Sequence, residues 1–293
     1  GPAYEDKVGR RAIRVCDLAH LGDLAPQLDR LCAHHDALRA GFGEPPVDRA
    51  RLERDLGEIA DFVLQFAGPV WKTLNEARLD GKRILFEGAQ GVLLDVDHGT
   101  YPFVTSSTTT AGGAATGVGI GPTIIDSVLG VVKAYTTRVG SGPLPTELDE
   151  ELGQRLRALG GGYGATTCRP RRCGWFDAVV VRYSARVNGL TGLAVTKLDV
   201  LDTFDEIRIG TGYDIEGQRF TSVFPYDLST LDRATPVYET MPGWKADTTK
   251  ARSIEDLPKN ARAYLDRIEQ LCEVPIAFVS VGTRRDQIIQ IET

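Results

Sequence analysis

Gly192-Leu193-Ala194-Val195-Thr196 is a short apolar run that passes directly into Lys197-Leu198-Asp199. A run this short, opened by glycine and closed by charged residues, reads as a buried strand rather than a helix. Helical character precedes it over 175–188, and Val128–Tyr135, inside 127–135, reads as another apolar strand. Between them, 149–159 reads as a helix. Upstream, Leu52, Leu56, Ile59, Val63 and Phe66 recur at spacings of three and four, so 50–78 reads as helical. Residues 83–87, Arg-Ile-Leu-Phe-Glu, read as a buried strand entering a glycine turn. Downstream, 205–222 reads as a hairpin broken near Glu216-Gly217. Asp256 is expected to cap a helix over 257–271 that places Leu265, Ile268 and Leu271 on one face. Strands follow over Pro275–Val281 and Gln287–Glu292. Strands alternating with helices predict an α/β fold with a mostly parallel sheet covered on both faces. Ligands of such sheets bind beyond the carboxyl ends of the strands, so the loops after the strands carry the function.

The chain has 293 residues, 42% hydrophobic and 25% charged, with a net charge of −6. Those proportions belong to a water-soluble folded protein with ample core. The acidic balance argues against a general nucleic-acid binder, so any anion site must be built locally. No apolar run is long enough to span a membrane, and no secretory leader is evident. The cysteines are Cys16, Cys32, Cys168, Cys173 and Cys272, an odd number without CxxC spacing, which predicts reduced thiols in a cytoplasmic protein.

Four loops carry unusual chemistry. Glu87-Gly88-Ala89-Gln90-Gly91 brackets an amide with glycines, which lets backbone N–H groups approach a ligand. A plain strand-to-helix turn has the same spacing. Residues 95–117 hold six consecutive hydroxyl residues, Thr105–Thr110, before Gly112-Gly113. Hydroxyls and free amides are the parts of a phosphate cradle, and equally of a polar surface loop. Asp95, Asp97 and His98 in the same stretch could ligate a metal, or His98 could be a structural hydrogen-bonding residue. Arg169, Arg171 and Arg172 put three arginines in four residues, stiffened by Pro170. Guanidinium forks suit carboxylate or phosphate, although a charge run is also what a solvated loop contains. Finally, Thr196-Lys197-Leu198-Asp199 resembles a guanine-specificity signature in which Asn usually holds the Thr position. An Asp carboxylate there accepts from guanine N1–H and its exocyclic amine, a donor pair adenine lacks.

Taken together, the strings FEGAQGVLLDVDHGTYPFVTSS, TAGGAATGVGIGP, KAYTTRVGSGPLPTEL, GATTCRPRRCGWFD, TKLDVLD and YETMPGW closely resemble the adenylosuccinate synthetase family, as does the opening GPAYEDKVGRRAIR. The resemblance extends over residues 1–293. It implies a single α/β domain around a large mixed sheet, distantly similar to P-loop GTPases. It also implies a two-step reaction. GTP phosphorylates the 6-oxygen of inosine monophosphate (IMP), and L-aspartate then displaces that phosphate to give adenylosuccinate. Mg2+ is the implied cofactor and GTP the co-substrate.

The resemblance further implies roles by position. Gln90 matches the amide near the 6-oxygen of IMP, and Thr105 the hydroxyl on its 5′-phosphate. Val139 and Gly140 match the stretch beside the ribose. Arg10 matches an arginine that reaches the phosphate from a neighbouring subunit, which makes the expected assembly a homodimer. Ala165, Thr166, Thr167, Cys168, Arg169, Pro170 and Arg171 match the aspartate loop, with Arg169 also on IMP and Arg171 also on GTP. Lys197, Leu198 and Asp199 match the guanine contacts, and Ser280, Val281 and Gly282 the loop on the other side of the base.

Three departures stand against this pattern. Cys168 occupies a glycine position of the aspartate loop, and Thr283-Arg284 replace a proline and an acidic residue. The family's GDEGKGK-type loop and its following Gly-His pair do not occur among the 293 residues, whose histidines are His20, His34, His35 and His98. The expectation is that the chain begins inside the family fold, that its catalytic Asp and His and its metal ligands lie outside it, and that residues 1–293 alone are without turnover. A non-catalytic protein of the same fold that binds GTP or another purine nucleotide is the alternative reading.

Overall fold

The first part of the chain is helical wherever its apolar residues recur every three or four positions. In the computed structural model, which describes residues 2–163, 169–225 and 227–291, these helices are α1 (Pro2–Val8), α2 (Ala25–Gly41), α3 (Arg49–Leu64) and α4 (Val70–Leu79). They belong to one of two units, formed by residues 1–85 with 118–120. Asp48 caps α3 by accepting from the Arg51 N–H at 2.9 Å. The single helix expected over 50–78 is therefore two. Gly68-Pro69 separates them, because proline lacks an N–H and disfavours helical geometry before it. The expected stripe is also only partly inward. Ala60 is buried, whereas Ile59 and Phe66 are 48% and 73% exposed.

The strand expected over 83–87 is absent. The segment is not assigned to any strand, and Leu85 is 90% exposed. An apolar run becomes a strand only when a neighbour completes its hydrogen-bond ladder, and among the described residues nothing does.

The other unit, residues 86–117 with 121–293, holds the sheets. After α5 (Gly112–Val118) come β1 (Leu129–Lys133), β2 (Thr136–Arg138), α6 (Glu150–Leu159), β3 (Arg172–Gly174) and β4 (Phe176–Asp177). Then follow α7 (Ala178–Asn188), β5 (Gly192–Thr196), β6 (Glu206–Ile215), β7 (Gln218–Phe220) and α8 (Leu228–Asp232). β8 (Thr235–Pro242), α9 (Lys259–Cys272), β9 (Ile276–Ser280) and β10 (Ile288–Gln290) complete it. One sheet has the order β1-β5-β9-β10, its first three strands parallel and β10 antiparallel. Lys133 pairs with Thr196 and Val195 with Val279, so three strands end at one level. A second sheet is built on β6, flanked by β4 in parallel and by β7 and β8 antiparallel. The expected hairpin is β6–β7, turned by Glu216 and Gly217 with φ of 54° and 83°. β2 and β3 form a separate antiparallel pair.

Leu193, Val195, Ile276 and Val279 are buried in one core with Ile207, Ile209, Leu265 and Ile268. Each such side chain contributes roughly 1.5–3 kcal/mol on burial, so the sheet edge is fixed firmly beneath its loops. Asp256 does not cap α9. Its carboxylate turns back to accept from the Arg252 and Ser253 N–H groups, closing a single 3-10 turn over Ile254–Asp256. α9 starts three residues later, after Pro258, whose missing N–H suits a helix entry. Cys16, Cys32, Cys173 and Cys272 are free thiols.

Asp177 is fully buried at the start of α7. It accepts from the Val179 and Val180 N–H groups and from the Tyr213 hydroxyl at 2.7 Å. Burial outweighs these bonds and raises its pKa to about 6. The folded state therefore binds a proton more readily than the unfolded chain between pH 3.8 and about 6. That contribution to stability is complete below the lower value and is lost as pH rises through the upper one. The melting temperature should carry a term that falls from pH 4 to 6, and Asp177→Asn should flatten it. A mutant whose slope over this range matches the parent would assign the trend elsewhere.

Candidate functional site

The carboxyl ends of β1, β5 and β9 lie side by side, and the residues just beyond them carry the least satisfied polar groups of the sheet. After β5 the backbone turns through Lys197 at φ 61°, ψ 37°, then enters a 3-10 turn over Leu198–Leu201. Leu198 is completely buried and anchors that turn. The Lys197 ammonium donates to the Gly160 carbonyl at 2.6 Å, which extends its stem across the loop after α6. Asp199 is half-buried, and its Oδ1 is buried without a hydrogen-bond partner among the described residues. Desolvation, followed by the nearby Asp202, raises its pKa. Three residues on, Asp202 differs. It accepts from the Trp244 indole at 2.7 Å and from the Thr248 N–H and hydroxyl at 2.8 and 2.9 Å. The Asp202 carboxylate is saturated within the fold; the Asp199 Oδ1 is not, among the described residues.

Cations gather at the same edge. Lys133, the last residue of β1, is partly buried and donates to the Thr137 hydroxyl. Its pKa is lowered to about 8, first by burial and then by Arg171 and Lys197. Among the described residues no carboxylate pairs with it. Among the described residues the buried Arg171 Nε has no partner, while the Arg171 backbone is pinned by the Gly162 carbonyl at 2.9 Å and the Arg157 guanidinium at 2.7 Å. Tyr135 stands beneath, its pKa raised to about 12 by burial, Cys173 and Asp199. Lys133 was not identified from the sequence. Its signal was a charged residue closing an apolar strand, the same feature that identified Lys197.

On the β9 side, the Ser280 hydroxyl donates to the Gly282 carbonyl at 2.9 Å, and Val281 is buried. A side chain at Gly282 would displace the Gln287 amide, which packs over it. Arg284 adds less positive charge than its sequence position implies. Its guanidinium is paired with Asp286 at 2.9 Å.

A second group of loops is organised by Asp95, which is completely buried. Its carboxylate accepts from the N–H groups of Asp97, His98, Thr109 and Thr110. Those four bonds hold its pKa below the usual range despite burial. Asp95 is thus a loop staple, and the amides of Thr109 and Thr110 are engaged rather than free. The His98 carbonyl accepts from the Tyr183 hydroxyl at 2.7 Å. Among the described residues no group of three His, Cys, Asp or Glu could hold a metal ion. Thr105 donates to the Leu94 carbonyl at 3.0 Å and lies 2.7 Å from the Ser107 hydroxyl. Val139 is 49% exposed, and Gly140 has φ 74°. Gln90 is exposed at φ 64° in its glycine turn.

Arg169 is exposed, and Pro170 bridges to Tyr163. Ala165, Thr166, Thr167 and Cys168 lie outside the described residues. In the other unit, Arg10 is exposed at φ 58° just past α1, without a side-chain partner among the described residues. Its turn is held by Asp6, whose carbonyl accepts from Arg11 and Ala12 and whose carboxylate binds Arg11 at 2.7 Å and His35 at 2.9 Å.

An α/β fold with an unpaired acceptor and unbalanced cations beyond a parallel sheet edge defines a class of proteins that bind charged ligands at strand ends. The family model described as adenylosuccinate synthetase matches residues 1–289. A structure of fully ligated adenylosuccinate synthetase from Plasmodium falciparum is 34% identical, with a TM-score of 0.93 over 100% of this chain and 69% of that one. The succinoaminodeoxyadenylate synthetase of cyanophage S-2L, bound to dGMP and dATP, is 18% identical with a TM-score of 0.46, over 76% and 50% of the two chains. The chain belongs to the adenylosuccinate synthetase family. The activity is GTP-dependent ligation of IMP and L-aspartate in purine nucleotide synthesis, with GTP as co-substrate. No helix among the described residues is long and apolar enough to cross a membrane.

The cation cluster has a cost that is measurable without ligand. Lys133→Met removes a partly buried charge held near two others, so it should raise the melting temperature of the free protein by about 2 °C. It should also shrink the further rise that added GTP produces. Thermal scans with and without GTP test both, and a fall in the free protein's melting temperature would contradict the repulsion.

Proposed function

We propose that the strand-end group is the guanine side of the GTP site and that the loops around Thr105 and Gly140 receive IMP. The observation that carries this reading is the buried, partnerless Oδ1 of Asp199. Leaving such an acceptor unpaired costs roughly 1–3 kcal/mol, and a guanine edge supplies the missing donors. Lys197 covers the base, Leu198 sets the turn, and Ser280, Val281 and Gly282 bound the opposite side. Arg171, whose buried Nε has no partner among the described residues, faces GTP. Lys133 adds positive charge that the nucleotide would balance.

On the IMP side, Gln90 addresses the 6-oxygen, Val139 and Gly140 flank the ribose, and Thr105 meets the 5′-phosphate. Its hydroxyl would turn from the Leu94 carbonyl to do so. Arg169 joins IMP to aspartate, which the 165–171 loop holds. With three anionic ligands in one place, the arginines lower the repulsion between reactants, and alignment does much of the rest. Arg10, freely presented beyond α1, would reach the phosphate of a second subunit in a homodimer. Mg2+ is the proposed cofactor because a polyphosphate ligates it readily. The described residues do not fit a metal centre, so none is assigned to it. A cytoplasmic location follows from the pathway's soluble substrates.

Asp199→Asn in the full-length enzyme tests the guanine assignment. The amide places a donor against a donor and removes charge assistance. The GTP Michaelis constant should rise on the order of ten- to a hundredfold, with those for IMP and aspartate nearly unchanged. Xanthosine triphosphate should improve relative to GTP, because its 2-oxo group accepts from the new amide. Steady-state constants with GTP, ITP and XTP are the measurement. Unchanged preference among the three, with only a lower melting temperature, would make Asp199 a turn residue.

A further inference from the structure

Arg138 and Arg172 face each other across the β2–β3 pair, an unusual register for two like charges. Both reach the same short loop. Arg138 is buried and makes three hydrogen bonds, none to a carboxylate. Its Nε donates to the Ser141 carbonyl at 3.0 Å, and its Nη2 to the Thr100 hydroxyl at 2.8 Å and the Phe103 carbonyl at 3.2 Å. Arg172 approaches from the other strand. Its Nη1 donates to the Gly142 carbonyl at 2.6 Å and more loosely to that of Gly140 at 3.4 Å. Its remaining nitrogens are held by both oxygens of Glu147.

The two guanidinium groups therefore do different work. Arg172 has a carboxylate partner and fixes one side of the 139–142 loop. Arg138 joins that loop to the Thr100–Phe103 segment, which leads directly into Thr105. Gly142 fits because it has no side chain. At φ 102°, a Cβ there would lie 2.4 Å from the Arg138 Nη2 and 2.9 Å from Phe103. The rigid, planar fork is what spans the two segments at once. Burial lowers the Arg138 pKa, with Arg172 adding to the effect, yet among the described residues no anion compensates it.

We propose that Arg138 is a positioning residue for IMP: it locks the Thr105 segment and the Val139–Gly140 segment in one relative placement and holds an uncompensated positive charge beneath them. The proposal rests on the reading of those two segments as the IMP site. An anionic nucleotide would then meet a preformed cradle rather than ordering two separate loops.

The test uses the full-length enzyme with Arg138→Met, Arg138→Lys, Thr100→Val and Thr105→Ala, and the pair Arg138→Met with Thr105→Ala. Arg138→Met should raise the IMP Michaelis constant about tenfold or more, with those for GTP and aspartate within about twofold. Arg138→Lys should recover only part of this, because an ammonium lacks the fork. Thr100→Val, which deletes one bond, should give a smaller rise even if Arg138→Met folds poorly. The paired variant should show less than the product of the single effects. An unchanged IMP constant in Arg138→Lys and Thr100→Val, with only a lower melting temperature, overturns the proposal. So does full rescue by lysine, which would assign the effect to charge alone. If Thr105→Ala leaves the IMP constant unchanged while the Arg138 variants raise it, the role of Thr105 falls and the clamp stands on the 139–142 side.

Discussion

The parallel pairing of β1 with β5 and of β5 with β9 is the constraint on which the rest depends. It brings Lys133, Thr196 and Ser280 to one edge although they are far apart in the chain. The chain beyond that edge must turn away, and it does so through residues that cannot all satisfy their polar groups. Lys197 turns in the left-handed region, Lys133 is left beside other cations, and Asp199 keeps a buried oxygen unpaired. The apolar half of each strand secures the position, and on the proposed reading the polar end meets the ligand. Neither would be useful alone, because a ligand contact is worth most when its geometry is fixed before the ligand arrives.

How much of this was legible in the sequence depended on what each signal required. β5 was readable to the residue, because Gly192–Thr196 is a short apolar run ending at a charge. The β6–β7 hairpin was legible from the break at Glu216-Gly217; Gly217 suits its positive φ, and Glu216 adopts one as well. Residues 83–87 misled because three consecutive apolar residues, Ile84–Phe86, state what would be buried, not whether a neighbouring strand exists. The 50–78 helix misled because the stripe, which ends at Phe66, was extended across Gly68-Pro69, where the helix stops. Asp256 is a cap, but of the wrong element, since a carboxylate before a helix can turn back as easily as forward.

The candidate site was legible in a different way. Lys197 and Asp199 were found as a local string, and the structure supplies what a string cannot state, that one oxygen of Asp199 has no partner. Lys133, Arg138 and Arg172 were not singled out as site residues, because their meaning is relational. Arg172 stood in the arginine run as an anion candidate, yet it is committed to Glu147 and to the loop carbonyls. Arg138 carried no local signal at all. A lone arginine ending a short strand is ordinary until its fork is seen to bridge two loops 35 or more residues apart in the chain.

Four buried or half-buried aspartates make the general point. Asp95, Asp177, Asp199 and Asp202 all lose water on folding, and for the last three burial is strong enough to raise the pKa. Burial alone therefore does not separate structural from functional carboxylates. Satisfaction does. Asp95 is saturated by backbone amides, Asp177 by a helix start and a tyrosine, and Asp202 by a tryptophan and a threonine. Each closes a local structure whose donors would otherwise be orphaned, so its desolvation is offset within the fold. The Asp199 Oδ1 has no such partner among the described residues. A fold that keeps one acceptor buried and, among the described residues, unpaired, at a fixed strand end and beside cations without anions among those residues, is stable only because the surrounding core tolerates the deficit. On the proposed reading, the free energy withheld there is available to a guanine nucleotide, which brings both a donor pair and negative charge.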